Sequence, residues 1–321
     1  MKKNIGLITP GGDASGMNAC IRSVVRSGIY YGYNILGIYR GYEGLLEENI
    51  HPLTLRSVSG IINHGGTILK SSRCKKIRTK EGIKNAINIL KKHNINWLII
   101  IGGDGSITAG EKISKLSDIN VIGIPASIDN DVYGTDETIG FDTAIDVALE
   151  CIDKIRDTAT SFERVFIVEV MGREHGFLAL SIGVASGAEF VILPEIKYDI
   201  KTICNKLKEL NKTGKTSVII IFAEGAGNPN LLAEQIVRNT SLEVRVSSLG
   251  YIQRGGSPSA RSRILAAQFG NYAIELIRKG IKNCVVITKN GQIKHIPISL
   301  VVNKKKKLDL SLYKLLYRLS I

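Results

Sequence analysis

Short β-branched apolar runs, several unbroken by any polar residue, constrain this chain most. They recur at "NIGLIT" (4–9), "NILGIY" (34–39), "WLIII" (97–101), "INVIGI" (119–124), "RVFIVEV" (164–170), "EFVIL" (189–193), "SVIIIFA" (217–223), "LEVRV" (242–246) and "CVVIT" (284–288). A strand with one wet face alternates apolar and polar residues, whereas an unbroken run fits a strand covered on both faces. Helical patterns fill the gaps, at 16–31, 79–93, 107–116, 138–158, 174–187, 199–212, 230–239 and 258–279. The alternation predicts an α/β chain of right-handed crossovers, with ligands gathered at the carboxyl ends of its strands. No repeat at solenoid periods and no low-complexity linker interrupts it.

Composition removes several classes. The 321 residues suggest roughly two domains. Five cysteines are scattered without a CxxC pair, which fits free thiols in a reducing cytosol better than disulfides or zinc. The apolar run after Met1-Lys2-Lys3 is too short for a signal peptide, and no run approaches the ~18 residues of a membrane span. A cytoplasmic protein with no membrane partner is expected. The net charge is 43 − 29 = +14. Nucleic-acid binding is one reading of it, but only Lys304–Lys307 form a dense basic run, and no aromatics interleave with it. A lysine-rich solvated surface is preferred, and no nucleic-acid partner is expected. Basic pockets for small phosphorylated ligands are a third reading.

Three strand ends carry unusual residues. "TPGGDASGMNA" (9–19) is a glycine-rich turn opening a helix, an arrangement that aims backbone N–H groups at an anion. It is not a Walker A loop, since Met17-Asn18 stand where Lys and Ser/Thr are required. A phosphate site and a plain tight turn fit it equally well. "GGDGS" (102–106) follows the third run, and its glycines would let a phosphate approach the backbone. A bare carboxylate at Asp104 would repel that phosphate unless a divalent cation lay between them; an N-cap role for Asp104 leaves the glycines unaccounted for. "GIPASIDNDV" (123–132) ends in Asp129 and Asp131, which an extended chain would place on one side. An EF-hand fails there, because its fifth and twelfth positions would be Tyr133 and Gly140; an Asx turn remains open. An anion loop, a Gly-Asp-Gly loop and a carboxylate pair together are what phosphoryl transfer needs. Arg73, Arg164, Arg173, Arg245 and Arg254 stand at expected element ends, where guanidinium forks suit phosphate oxygens. Singly, each is better read as a surface ion pair. No HExxH, no G-x-S-x-G elbow and no Cys/His pair at nucleophile or metal spacing occurs.

In this order, "IGLITPGGDASGMNA", "IGGDGS", "IDNDVYGTDETIGFDTA", "IRDTA", "VEVMGREHG" and "LGYIQRGGSP" resemble the bacterial ATP-dependent 6-phosphofructokinases, over nearly the whole chain to about residue 290. The resemblance implies two interleaved Rossmann-like three-layer domains. An ATP-binding domain would span 1–140 plus 253–303, and a fructose 6-phosphate-binding domain 141–252 plus 304–321. It implies Asp129 as general base toward the 1-hydroxyl of fructose 6-phosphate, with Ser127 and Asp131 beside it, and Mg²⁺ held by Asp104 and Asp131. The Gly11 backbone, Arg73 and Arg173 would stabilise the transferring phosphoryl group. Gly12, Tyr42, Arg73, Cys74, Arg78, Gly103, Gly105 and Ser106 would line the ATP site. Met171, Gly172, Arg173, Glu224, Tyr251 and Arg254 would hold the sugar phosphate, with Arg164 and Arg245 reaching the 6-phosphate from a neighbouring subunit of a homotetramer. Arg22, Arg26, Arg156, Glu189 and Lys215 would form an allosteric site for ADP and phosphoenolpyruvate.

The chain departs from that pattern at named places. Tyr251 replaces a histidine, Cys74 an aromatic residue, and Ala126 a glycine; Pro10 and Ser15 swap the usual small residue and proline. Leu55, with Arg56 one place on, and Thr213 and Ser217 replace basic residues of the effector site. Pyrophosphate-dependent relatives carry an aspartate after "GGD" and a lysine before the residue preceding "IDND"; here those places are Gly105 and Ala126. A glycine at 105 leaves room for a nucleotide's α-phosphate and favours ATP. Another Gly-Asp-Gly kinase, of the NAD or lipid kinase type, and a catalytically silent phosphometabolite sensor of the same fold are the competing readings.

Overall fold

The computed structural model describes residues 3–320; Met1, Lys2 and Ile321, which end the expected domains, lie outside the described residues. The chain order is β1 (Asn4–Ile8), α1 (Met17–Tyr30), β2 (Asn34–Ile38), α2 (Gly41–Leu46), β3 (Ile50–Leu53), α3 (Lys80–Lys92), β4 (Ile95–Gly102), α4 (Asp104–Lys115), β5 (Asn120–Pro125) and α5 (Phe141–Phe162). Next come β6 (Val165–Val170), α6 (Phe177–Ser186), β7 (Phe190–Ile192), α7 (Ile200–Lys212), β8 (Val218–Ala223), α8 (Pro229–Thr240) and β9 (Val244–Ser248). The chain ends with α9 (Ala260–Arg278), β10 (Cys284–Lys289), β11 (Gln292–Pro297), α10 (Ile298–Asn303) and α11 (Leu310–Leu319).

These elements form two compact units, Met1–Thr143 with Arg254–Lys306 and Ala144–Gln253 with Lys307–Ile321. The first holds a seven-stranded sheet in the order β11-β10-β5-β4-β1-β2-β3. Its inner pairings are parallel, with Leu7 opposite Ile99 and Ile101 opposite Ile124. β4 is buried along almost its whole length, as its unbroken apolar run requires. The core on one side of this sheet gathers Ile8, Ile38, Leu98 and Ile100 with Ile83 and Leu90 of α3 and Ile107 and Ile113 of α4. The second unit holds a four-stranded, all-parallel sheet in the order β7-β8-β6-β9. Phe222, Ile220 and Ile167 pack there against Leu207 of α7 and Leu232 of α8.

Both edges of the larger sheet depart from the expected parallel crossovers. β3 and β11 are antiparallel, paired with β2 and β10, and neither shows an unbroken apolar run: "IHPL" and "QIKHIP" carry polar residues because one side of each edge strand stays wet. The helix expected at 107–116 starts earlier, at Asp104, so Gly105 and Ser106 belong to its first turn rather than to a loop. Arg245, expected at an element end, lies inside β9.

Candidate active site

The order β5-β4-β1 brings three carboxyl ends side by side in the first unit, and each carries one of the unusual loops. After β1, Gly11 holds φ +94°, a conformation open to glycine at little cost. Its N–H donates to the Ser72 carbonyl at 3.3 Å, and its own carbonyl accepts from Ser71 Oγ at 2.6 Å. The strap Lys70–Arg73 is thereby tied to the glycine loop. After β4, Ser106 closes the gap to that loop. Its Oγ donates to the Pro10 carbonyl at 2.8 Å, and a Cβ placed on Gly11 would lie 3.0 Å from the Ser106 Oγ. Tyr42 Oη donates to the Ser106 carbonyl at 2.8 Å. Tyr42 and Cys74 are both buried in the core, and burial pushes the Tyr42 phenol up.

Asp129 and Asp131 are not the same-side pair of an extended chain. β5 stops at Pro125, and Asn130 has φ +52°, so the segment turns between the two carboxylates. Asparagine tolerates that left-handed conformation better than most residues because its short side chain bonds locally. Here Asn130 Nδ2 donates to the Asp136 carbonyl at 3.1 Å. Ser127 Oγ accepts from the Asp129 N–H at 3.2 Å, and Thr138 Oγ1 donates to the Ser127 carbonyl. Asp129 is almost wholly buried, and Asp131 is half-buried with an Oδ1 that no hydrogen bond satisfies. Gly103 lies against Ser127, a Cβ built on the glycine falling 3.7 Å from that of the serine, so the second and third loops adjoin.

Asp104 and Asp131 suit a magnesium ion. Among the described residues no cluster of three or more acidic, histidine or cysteine side chains forms a protein cage. Mg²⁺ ordinarily takes one or two carboxylates, with waters and phosphate oxygens completing the octahedron. An exposed carboxylate at Asp104 and an unsatisfied buried oxygen on Asp131 match that donor set.

A cavity of about 420 Å³ opens beside the glycine loop in the same unit. Gly11, Gly12, Arg73 and Arg254, all singled out from the sequence, line it. Asp13, Thr67, Lys70, Ser71 and Ser72 line it too, and sequence reasoning passed over them. The polar run "KSSR" directly before Cys74 was the available signal. Asp13 pairs with Arg254 at 3.9 Å. Arg78 is exposed on the 3-10 turn Lys76–Arg78, away from the cavity lining.

The second unit holds Met171, Gly172, Arg173, Glu224 and Tyr251 of the expected sugar-phosphate set, whereas Arg254 lies in the first. β6 ends at Val170, and the loop Met171–Gly172–Arg173 is held by three hydrogen bonds that its amides donate. Met171 N–H donates to Gln253 Oε1 at 2.9 Å, and the N–H groups of Gly172 and Arg173 donate to Glu224 Oε1 at 3.2 and 2.6 Å. Gly172 (φ +141°) and Arg173 (φ +53°) turn the chain sharply; Arg173 is exposed, and so is Tyr251. Glu224 therefore shapes this loop with one oxygen, and Gln253 is a positioning residue the sequence did not reveal. Arg164 and Arg245 share one carboxylate, Glu243, at 2.8 and 2.5 Å. Of the expected effector residues, Arg22 and Arg26 lie on α1 in the first unit. Arg156, Glu189 and Lys215 lie in the second, where Arg156 donates to the Ser186 carbonyl and Lys215 pairs with Glu189 at 2.6 Å. Leu55 and Arg56 are both exposed.

A profile of the family described as Phosphofructokinase matches residues 4–277. An ATP-dependent 6-phosphofructokinase of Clostridioides difficile is 49% identical over 319 residues, covering 99% of this chain and all of that protein. One from Bacillus pumilus is 47% identical over the same length. Among solved structures, phosphofructokinase from Saccharomyces cerevisiae superposes with a TM-score of 0.87 at 33% identity over 94% of this chain, which spans 45% of the yeast chain. A pyrophosphate-dependent phosphofructokinase from Marinobacter aquaeolei superposes at 0.86, with 23% identity and 86% of its length covered, a likeness of fold alone.

Proposed function

The chain belongs to the phosphofructokinase family, and from that premise we propose that it is an ATP-dependent 6-phosphofructokinase. It would transfer the γ-phosphoryl group of ATP to the 1-hydroxyl of fructose 6-phosphate, the committing step of glycolysis, in the cytoplasm. The observation that carries the reading is the full-length likeness to a protein of that name, with the glycine loop, the Gly-Asp-Gly turn and the Asp129–Asp131 turn complete at adjacent strand ends.

The residues divide the work as follows. Asp129 accepts the proton of the 1-hydroxyl as its oxygen attacks phosphorus, and Ser127 and the Asn130 turn set its direction. The backbone at Gly11, with Arg73 and Arg173, meets the negative charge spread over the transferring oxygens. Asp104 and Asp131 hold Mg²⁺, which when bound neutralises donor phosphate charge. Gly12, Tyr42, Arg73, Cys74, Arg78, Gly103, Gly105 and Ser106 line the ATP site, Tyr42 through its hydrogen bond to the Ser106 carbonyl. Met171, Gly172, Arg173, Glu224, Tyr251 and Arg254 bind the sugar phosphate. Arg164 and Arg245 reach the 6-phosphate of a neighbouring subunit in a homotetramer. Arg22, Arg26, Arg156, Glu189 and Lys215 form an effector site for ADP and phosphoenolpyruvate. On this reading the ATP-binding domain corresponds to the first unit and the sugar-phosphate domain to the second.

Pyrophosphate as donor is the second reading. Gly105 speaks against it, because a Cβ there would meet no atom within 4 Å, so the room a nucleotide needs is open. A coupled assay with fructose 6-phosphate and Mg²⁺, run in parallel with ATP and with pyrophosphate, tests both. Turnover with ATP alone is expected. Turnover with pyrophosphate would overturn the donor assignment, and turnover with neither would leave a sensor.

A further inference from the structure

We propose that Lys70 is a further cation of the phosphoryl-binding pocket, contacting the terminal phosphoryl group of the donor alongside Arg73 and the Gly11–Gly12 loop. The inference rests on the functional reading above for the identity of the donor, and on the pocket itself for the contact.

Lys70 lines the cavity that Gly11, Gly12, Arg73 and Arg254 also line. Three cations and one carboxylate, Asp13, face this space, and Asp13 is already engaged by Arg254 at 3.9 Å. The lining therefore has a positive excess, suited to a multiply charged anion. Among the described residues no ion pair involves Lys70, so its charge is not consumed internally.

The backbone beneath it is fixed. Lys70 N–H donates to the Thr67 carbonyl at 3.0 Å, and its carbonyl accepts from Thr9 Oγ1 at 3.1 Å. Thr9 and Thr67 hydroxyls bond each other at 2.9 Å, and the neighbouring Leu69 carbonyl accepts from Arg40 N–H at 2.8 Å. These bonds hold Lys70 at φ +58°. A lysine adopts that left-handed conformation only at a cost that glycine avoids. Non-glycine residues in such positions cluster where the strained residue has a task. The next residue, Ser71, clamps the Gly11 carbonyl at 2.6 Å, so the strap presenting Lys70 is tied to the anion loop.

The test uses the whole protein and three variants, Lys70→Met, Lys70→Arg and Lys70→Gly. It reads steady-state kinetics, calorimetric binding of inorganic tripolyphosphate without metal, and thermal unfolding. Losing a charge-assisted contact predicts a fall in kcat/KM for ATP and in tripolyphosphate affinity of roughly ten- to a hundredfold for Lys70→Met. Lys70→Arg should recover most of both. Lys70→Gly should lose the same binding while unfolding no earlier than the parent, because the backbone strain is relieved. A merely structural role would not separate binding from stability in this way. Unchanged affinity and kcat/KM in Lys70→Met, with the parent active on ATP, would overturn the proposal and leave the enzymatic reading standing. Weakened tripolyphosphate binding in Lys70→Met, with the parent inactive on ATP, would keep the cation and overturn the enzymatic reading.

Discussion

Asn130 is the residue on which the carboxylate turn depends. It contributes a backbone that reverses at φ +52° and a side chain that anchors the turn to the Asp136 carbonyl. Asp129→Ser should lower kcat by about 10²–10⁴ with little change in folding, as expected for loss of a proton acceptor. Asn130→Val should also lower kcat but unfold earlier, since a β-branched residue in that conformation costs roughly 1–2 kcal/mol. Kinetics paired with thermal melts on the two variants separates chemistry from shape; near-native kcat in Asp129→Ser would remove it as the base. Asp129 and Asp131 were legible in the sequence as a pair, but their geometry was not. Counting alternation assumes an extended chain, and a single left-handed residue breaks it. Lys70 and Gln253 were illegible for another reason: nothing local marks a residue whose importance lies in which loop its backbone is tied to.

At the scale of elements, what could be read was the buried interior. β4, β5 and β8 announce themselves because both their faces are covered, and an unbroken apolar run has few other uses. β3 and β11 were missed because half-wet edge strands of four and six residues resemble loops in composition. The start of α4 was misplaced because "GGDG" reads as a breaker, yet Asp104 sits well in a first turn, where helix amides attract negative charge. This placement predicts the behaviour of Gly105→Asp. The new side chain would project into open space from the first helical turn, so Tm should be unchanged or slightly higher. Its charge would face the donor phosphates, and kcat/KM for ATP should fall by roughly tenfold or more, the scale of one like-charge contact near a protein surface. A variant with the parent's kcat/KM would show that the donor lies elsewhere.

At the scale of the whole molecule, the dense basic run within the +14 charge is less available than the sequence suggests. Lys306, in the dense basic run, donates to the Asp136 carbonyl at 3.1 Å, and burial lowers its amine to about 8 against the attraction of Asp136 and Asp131. Lys304 stands over the Tyr133 ring at 5.6 Å. Two of the four tail lysines are thus committed to the segment that follows the carboxylate turn. Beyond them α11 belongs to the second unit, where Leu316 is buried and sits close enough that a Cβ on Gly183 of α6 would lie 3.1 Å from it. Leu316→Ala should cost about 2–5 kcal/mol in urea unfolding of the full chain, the range for emptying a packed leucine site. A cost near zero would mark the tail as dispensable.

The position of β10 has a consequence for how the protein is made. In the larger sheet β5 pairs with β10, and β10 is encoded after the main segment of the second unit. During synthesis β5 therefore leaves the ribosome with an open, apolar edge, and it stays open while the second unit's own sheet is completed. Unpaired edges of this kind recruit other chains. The nascent protein is then most exposed to misassembly late in translation, with most of its length already folded, and closure of the first unit waits on its last strands.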